Sequence, residues 1–220
     1  MRQFKSWLRT RVLRPWVVGR VDNAGPRVAL TFDDGPHAEI TPRVLDVLDR
    51  YGAKASFFCV GENLRRHQDL AEQIQRRGHE LANHSMTHAE LVDIDYAATA
   101  REFDDTFALL SMNERSIVTQ SFIRPPKGVI NLNVMRYCAM RKKRIIHWSR
   151  DPEDFLSRRA DQVLEGFERQ PLVSGDIVLL HDKMPHSAEV VDGILAGLSQ
   201  RGLGCVTVSD LLRAGRSART

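Results

Sequence analysis

The stretch RVALTFDDGPH, residues 27–37, joins an apolar run to two adjacent aspartates, a Gly-Pro pair and a histidine. The apolar run predicts a buried β-strand, because strands covered on both faces carry few polar residues. Gly35 and Pro36 are ordinary turn residues, and on that ground alone Asp33 and Asp34 belong to a loop. Two like charges at the end of a buried strand also fit a catalytic site, so the rest of the sequence has to separate the two interpretations.

Apolar runs and helical patterns alternate along the rest of the 220-residue chain. The predicted strands are 27–32, 54–60, 79–83, 120–124, 144–149, 176–180 and 204–208. This alternation, with no linker between halves, predicts one α/β domain with a parallel sheet, best described as a distorted (β/α)7-type barrel. We expect the domain at 26–213, after an N-terminal basic segment at 1–25 and before a flexible tail at 214–220. His147 and Trp148 fall within a predicted strand and are expected in the core.

The first 20 residues mix arginine and lysine with tryptophan, leucine and valine, and contain no acid. They fit either an amphipathic helix on a membrane surface or a helix packed on the domain. Arginines interrupt the segment too often for a secretory signal, and no apolar stretch of the chain is long enough to span a membrane. The expected location is therefore cytoplasmic, either free or peripheral to the inner face of the membrane.

Composition narrows the class of protein further. The net charge is +4, but the chain contains no zinc finger, RNP-like motif or basic zipper, so no nucleic-acid partner is expected. Cys59, Cys138 and Cys205 form an odd, scattered set among apolar neighbours, which is typical of reduced thiols. The oligomeric state is left open by the sequence.

Polar residues suited to chemistry follow five of the predicted strands. They are Asp33-Asp34, His84 with His88, Arg124, Asp151 with Asp154, and His181-Asp182. Active sites of parallel α/β folds form at the carboxyl ends of the strands. We therefore expect these five segments to meet at one end of the barrel.

The segment HSMTH, residues 84–88, places two imidazoles four residues apart. A helical turn there would bring both rings to the same side. With an aspartate from another strand they would form a three-ligand site that leaves positions open, as in catalytic zinc centres. One divalent ion is expected, with zinc favoured over cobalt or another metal. The segment is not HExxH, so the base of a thermolysin-like protease is missing.

Together, TFDDGP, HSMTH, RPPKG, WSRDPED and LLHD resemble in order and spacing the motifs of the NodB-homology polysaccharide deacetylases, carbohydrate esterase family 4. The resemblance covers about residues 27–212, and the stretches 41–61 and 78–88 look most like chitooligosaccharide deacetylases. It implies a single NodB-homology domain. The roles that it implies are Asp33 as general base, His181 as general acid, Asp34, His84 and His88 as metal ligands, Arg124 as the partner that orients Asp33, and Asp154 as the partner of His181.

Two positions depart from the family pattern. Lys127 stands where the family usually has tyrosine or phenylalanine, although its backbone N–H remains the expected oxyanion donor. Phe155 replaces the usual tryptophan and keeps an apolar face for a sugar. The resemblance makes Lys127, Phe155 and Leu179 the expected substrate-binding residues. Lys127 indicates either an anionic sugar or a solvent-exposed side chain.

The resemblance implies a metal-dependent hydrolase that cleaves the N-acetyl amide of amino sugars in an N-acetylated oligosaccharide or glycan precursor. The alternatives are an O-acetyl esterase on an acetylated glycan and a non-catalytic sugar-binding member of the fold. An iron oxygenase with two histidines and one carboxylate fits less well, because its usual scaffold is all-β.

Overall fold

The computed structural model describes residues 16–111 and 118–217, with only the backbone of 118–120. Residues 1–15 lie outside the described part of the chain, and they include most of the basic segment for which membrane contact was expected. Membrane contact and a cytoplasmic location therefore stay predictions. Within the described ranges, no helix combines the length and the apolar character needed to cross a bilayer.

The described residues form one parallel sheet surrounded by helices. Strands β1–β8 are Val17–Val18, Arg27–Asp33, Ser56–Cys59, Glu80–Asn83, Val118–Ile123, Arg144–Ile146, Ile177–His181 and Gly204–Cys205. Helices α1–α8 are Ile40–Arg50, Gly61–Arg66, Gln68–Arg76, Tyr96–Ser111, Leu132–Arg141, Ala160–Arg169, Ser187–Gln200 and Val208–Ser217. The strand order is β1-β6-β5-β4-β3-β2-β7, and β8 pairs with the start of β2.

The parallel sheet curls so far that the chain following β6 reaches the edge strand β7. Beyond β6, the Ser149 N–H donates to the Ile177 carbonyl at 3.0 Å, and the Leu179 N–H donates to the Arg150 carbonyl at 2.9 Å. These bonds join the chain after β6 to β7, the opposite edge strand. The predicted fold class, a distorted barrel of parallel strands and helices in a single domain, is confirmed.

The amino-terminal boundary of the domain was predicted too far along the chain. The sequence placed 1–25 outside the domain, yet Val17–Val18 pairs with β6, and Val21 and Ala24 are buried. The Val21 N–H donates to the Gly175 carbonyl at 3.0 Å, and a Cβ on Gly175 would lie 1.8 Å from the Val21 carbonyl oxygen. This segment is therefore packed against the barrel through an approach that only glycine permits.

The carboxyl-terminal boundary also differs from the prediction. The expected tail began at residue 214, but α8 continues to Ser217 and buries Gly215. A Cβ on Gly215 would lie 2.5 Å from the Val21 side chain, so the end of α8 packs on the amino-terminal segment. Residues 218–220 lie outside the described part.

Side chains of β2 alternate between two cores, which explains its continuous apolar sequence. Ala29 joins a cluster inside the barrel, whereas Val28 and Leu30 join the larger cluster between the sheet and the helices. Thr31 and Asp33 share the inward parity of Ala29. Strands that are buried on both faces need apolar residues at nearly every position. Polar residues on the inward face therefore stand out at the carboxyl end of the strand.

The three cysteines are free thiols, as predicted. Cys59 and Cys138 are buried and Cys205 is half-buried. Burial raises the pKa of Cys138 to about 12, which keeps this thiol protonated and unreactive.

Candidate active site

The carboxyl ends of the strands bring the predicted base and acid side by side. Asp33 is the register partner of His181 on the adjacent strand β7, so both side chains point to the same face. Asp33 is 4% exposed, and Arg124 reaches it from the end of β5. The predicted meeting of the strand-end segments is thus observed.

Asp34, His84 and His88 form a compact group of possible metal ligands. Asp34 Oδ1 lies 3.4 Å from His84 Nε2 and 3.4 Å from His88 Nε2. The three ligand atoms all lie within 4.8 Å of one another. Asp34 Oδ1 is buried, and within the described residues it has no hydrogen-bond partner. A buried carboxylate oxygen without a donor, facing two imidazole nitrogens, fits a bound cation.

The two histidines come together without the helical turn that the sequence suggested. Ser85 and His88 have positive φ values of 70° and 59°, so the chain bends sharply instead of winding into a helix. Asn83 Oδ1 accepts the Ser85 N–H at 2.9 Å, and Ser85 Oγ accepts the His88 N–H at 3.1 Å. These side chains satisfy backbone donors that a helix would otherwise pair. A sharp bend, and not a helical turn, therefore brings the two histidines to one shared ligand site.

The orientation of His84 is set by the chain's backbone. Its Nδ1 lies 2.7 Å from the Arg124 carbonyl oxygen, which requires that Nδ1 carries the proton. Nε2 then faces Asp34 and is the nitrogen left to bind a metal. Arg124 therefore supports the site through its carbonyl as well as through its side chain.

The pKa values of the three possible ligands are shifted by burial and by neighbouring charges. Burial raises the pKa of Asp34, but His84 and Lys183 lower it more, and its pKa lies well below the usual range. Burial and the neighbouring His84 lower the pKa of His88, which favours the neutral ring that binds a metal. For His84, burial lowers the pKa, but the charges of Asp33 and Asp34 outweigh it and raise the pKa. An anionic carboxylate beside two imidazoles suits zinc and other borderline divalent ions.

Arg124 is fully buried and holds Asp33 in place. One guanidinium nitrogen, Nη1, donates to Asp33 Oδ1 at 2.7 Å and to Thr31 Oγ1 at 2.8 Å. Nε donates to the Ile146 carbonyl at 2.9 Å, and the guanidinium lies 4.1 Å from the centre of the Phe58 ring. Because several contacts fix the guanidinium, it holds the Asp33 carboxylate in one orientation.

Asp154 supports His181 through both carboxylate oxygens. Oδ1 lies 2.7 Å from His181 Nδ1, and Oδ2 accepts the His181 N–H at 2.8 Å. Burial lowers the pKa of His181, but the hydrogen bond and the charge of Asp154 outweigh it and raise the pKa. His181 therefore keeps its proton to higher pH than a free histidine, and its Nε2 is left to face the site.

The predicted substrate-binding residues occupy different positions relative to these groups. Phe155 is 45% exposed, and its ring stands edge-on to the His181 ring, with centroids 5.3 Å apart. Lys127 is exposed at the tip of the turn Pro126–Gly128, where its ammonium pairs with Glu90. Leu179 is buried in β7. These contacts place Phe155 beside the acid, and the roles of all three residues in binding a sugar stay predictions.

His147 and Trp148 were expected in the core, and the structure corrects this. Both are half-buried, and their rings stack with centroids 3.9 Å apart. A Cβ on Gly128 would lie 2.7 Å from the Trp148 ring, so the turn that carries Lys127 rests on this indole. An aromatic surface is thus present beside the position where the family's usual aromatic residue is missing.

Two further residues at the site were not assigned a role from the sequence. Lys183, directly after LLHD, places Nζ 2.5 Å from Asp34 Oδ2. His186 Nε2 lies 3.2 Å from the Asp154 carbonyl oxygen and ties that loop to the start of α7. Their position after the final motif is the one sequence signal that pointed to them, because their partners are distant along the chain.

Proteins of one known family are similar to this chain over most of its length. Residues 20–142 match a family model described as polysaccharide deacetylase. The chain is 34% identical over 206 residues to a peptidoglycan-N-acetylglucosamine deacetylase of Bacillus cereus, covering 90% of this chain and 93% of that protein. It is 36% identical over 168 residues to a chitooligosaccharide deacetylase of Rhizobium leguminosarum bv. phaseoli, covering 76% and 72%.

Solved structures of deacetylases have a similar fold. The structure of the peptidoglycan deacetylase PdaC from Bacillus subtilis superposes with a TM-score of 0.80 at 28% identity, covering 88% of this chain and 93% of that one. Both the resemblance of the five motifs and the predicted fold class are thereby confirmed. The chain belongs to the polysaccharide deacetylase family.

Proposed function

We propose that this protein is a metal-dependent hydrolase that removes the N-acetyl group of amino sugars in an oligosaccharide or glycan precursor. The observation that carries the proposal is the placement of Asp33 and His181 as register partners beside the group Asp34, His84 and His88. Amide hydrolysis needs a base for water, an acid for the nitrogen and positive charge for the oxyanion, and this site offers a residue for each. The named activities of the similar proteins support the same reaction.

Asp33 acts as the general base in this proposal. It accepts a proton from the water that attacks the acetyl carbonyl carbon. Because Arg124 Nη1 holds Oδ1 at 2.7 Å, the other oxygen, Oδ2, is the one available for that proton. Fixing the base before the reaction removes the cost of orienting it in the transition state.

His181 acts as the general acid. The amine of an amino sugar leaves readily only when it is protonated, so the C–N bond needs a proton donor as it breaks. Asp154 fixes Nδ1, which leaves Nε2 as the nitrogen that delivers the proton. The raised pKa of His181 lets this donor hold its proton to higher pH than a free histidine.

Asp34, His84 and His88 are the residues that would hold the divalent ion. When bound, such an ion supplies Lewis acidity, which lowers the pKa of a water molecule and polarises the acetyl carbonyl. Zinc is the proposed ion, because two imidazoles and one carboxylate form a ligand set typical of catalytic zinc. The Lys127 backbone N–H is proposed to stabilise the oxyanion together with this ion, by donating a hydrogen bond to it.

We propose that the sugar lies between two aromatic side chains. Phe155 stands beside His181, and Trp148 lies under the turn that carries Lys127. Pyranose rings pack their C–H faces on aromatic side chains, so these two rings would flank the sugar that bears the acetamide. Lys127 is paired with Glu90, and this lowers its availability as a recognition charge for an anionic sugar.

Mass spectrometry of acetyl loss tests the proposal directly. The purified protein is incubated with chitooligosaccharides, peptidoglycan fragments and O-acetylated xylan, with and without a chelator. We expect chelator-sensitive loss of single acetyl groups from an N-acetylated substrate and readdition of zinc to restore it. Loss from xylan alone would establish the esterase alternative, and no loss from any substrate by the zinc-loaded protein would favour a sugar-binding role.

Replacing Asp154 by Asn should move the basic limb of the pH profile to lower pH. His181 must be protonated to act, so activity falls as pH rises through its pKa. Asp154 raises that pKa against the effect of burial, and a neutral Asn removes the charge that does so. We expect kcat/KM at neutral pH to fall roughly tenfold, a part of the 10²–10⁴ that a general acid contributes.

The pH dependence of kcat/KM for the wild type and for Asp154→Asn measures this shift. Asp161→Asn, the same change at an exposed aspartate of α6, is the matched control and should leave the profile unchanged. A basic limb at the same pH in Asp154→Asn would show that His181 is not the titrating acid.

A further inference from the structure

Lys183 contacts the carboxylate that is assigned to the metal. It follows the LLHD motif in the loop between β7 and α7, and its Nζ lies 2.5 Å from Asp34 Oδ2. We propose that the Lys183 ammonium shares the Asp34 carboxylate with the divalent ion and thereby weakens the affinity of the site for that ion. The proposal rests on the metal site of the proposed function.

The two oxygens of Asp34 face different cation partners. Oδ1 lies 3.4 Å from the Nε2 atoms of both His84 and His88, on the side where an ion would bind. Oδ2 is occupied by Lys183. One negative charge thus serves an ammonium on one side and a divalent ion on the other. Two cations bound to a single carboxylate repel each other, and each lowers the carboxylate's attraction for the other.

Burial makes this competition effective. The Asp34 side chain is 12% exposed, so water screens the charges on it poorly. The Lys183 side chain is 45% exposed, and its flexible stem lets the ammonium leave Asp34 for solvent. Binding of the ion is then linked to weakening of the Lys183–Asp34 pair, and by linkage the pair weakens binding of the ion.

The backbone of Asp34 is held in place without Lys183. The Asp34 backbone has φ 75°, and its carbonyl accepts a hydrogen bond from Asn63 Nδ2 at 2.7 Å. The two histidines are held separately, His84 by the Arg124 carbonyl and His88 through Ser85. The charge of Lys183 therefore outweighs any help that it gives in aiming the carboxylate. Loading of the enzyme would then follow the supply of free ion instead of being permanent.

A charge series at position 183 tests the proposal. The full chain is freed of metal with a chelator and titrated with zinc against a competing fluorescent chelator, at fixed pH and ionic strength. We expect Lys183→Met to bind zinc about tenfold more tightly, since one repelling charge is gone. Lys183→Glu should bind more tightly still, and Lys183→Arg should match the wild type. Lys54→Met removes the same charge from a lysine that pairs with Asp49, and it should leave the zinc affinity unchanged.

The outcomes separate this inference from the proposed reaction. Weaker binding in both Lys183→Met and Lys183→Glu would show that Lys183 orients Asp34, and equal affinities across the series would show no coupling; either result overturns the inference. A wild-type chain that binds no zinc overturns it together with the metal site. A series in the expected order, in a protein that releases no acetate from any substrate, supports the inference and refutes the deacetylase proposal.

Discussion

Asp33→Asn is expected to lower kcat/KM for acetyl release by about 10³-fold, within the range of about 10²–10⁴ that a positioned general base contributes. Asn keeps the size of the side chain and can still accept a hydrogen bond from Arg124. It cannot take up a proton from water. The loss should therefore appear in kcat, with little change in KM, because the interaction is lost in the transition state.

Two measurements make this result specific to proton transfer. Activity is compared at saturating zinc, with the bound zinc measured in both proteins, because Asp33 Oδ2 lies 3.6 Å from His84 Nε2 and its charge acts on that ligand. Asp192→Asn, the same substitution at an exposed aspartate of α7, should retain full activity. If Asp33→Asn kept more than a tenth of the wild-type activity with zinc bound, the base would have to be another group.

Arg124→Met is expected to lower the free energy of unfolding by about 3–5 kcal/mol, since it leaves a buried charge without its partner. Arg124 is fully buried and Asp33 nearly so, and the guanidinium also donates to Thr31 and to a backbone carbonyl. The same change frees the Asp33 side chain, so kcat/KM should fall along with stability. Urea unfolding of the metal-free protein measures the first effect.

A double variant separates the lost ion pair from simple loss of packing. Arg124→Met combined with Asp33→Asn has no unpaired charge, so it should be more stable than Arg124→Met alone. A double variant no more stable than the single one would assign the destabilisation to packing around Phe58 instead. Both variants should be inactive, and the stability comparison therefore does not depend on catalysis.

Much of the barrel was predictable because its strands carry a local signal. The run RVALTF is apolar on both faces, and five predicted strands overlap β2–β5 and β7 closely, whereas strand 144–149 was predicted too long because β6 ends at Ile146. Strand 204–208 was predicted too long, since α8 begins at Val208. Strand β1 was missed because two residues are too short to show a period. Val17–Val18 becomes a strand only because the edge of β6 offers it partners.

The site was predictable to the extent that its residues stand at strand ends. Asp33, Arg124 and His181 were assigned from motifs, and the structure brings them together at the rim. Lys183 stands beside the last motif, but nothing near it in sequence names Asp34 as its partner. Trp148 was expected in the core because it falls within the predicted strand 144–149, whereas β6 ends at Ile146 and Trp148 is half-buried beside the turn of Gly128.

The sequence by itself determined the order of strands and helices, the family and the residue types at the strand ends. These depend on period, turn chemistry and motif spacing, which are local properties of the chain. The tertiary structure alone decided which oxygen of Asp34 meets the histidines and which meets Lys183, and that Asp33 pairs in register with His181. Contacts of this kind depend on strand register and barrel closure, because these bring together residues that are far apart along the chain.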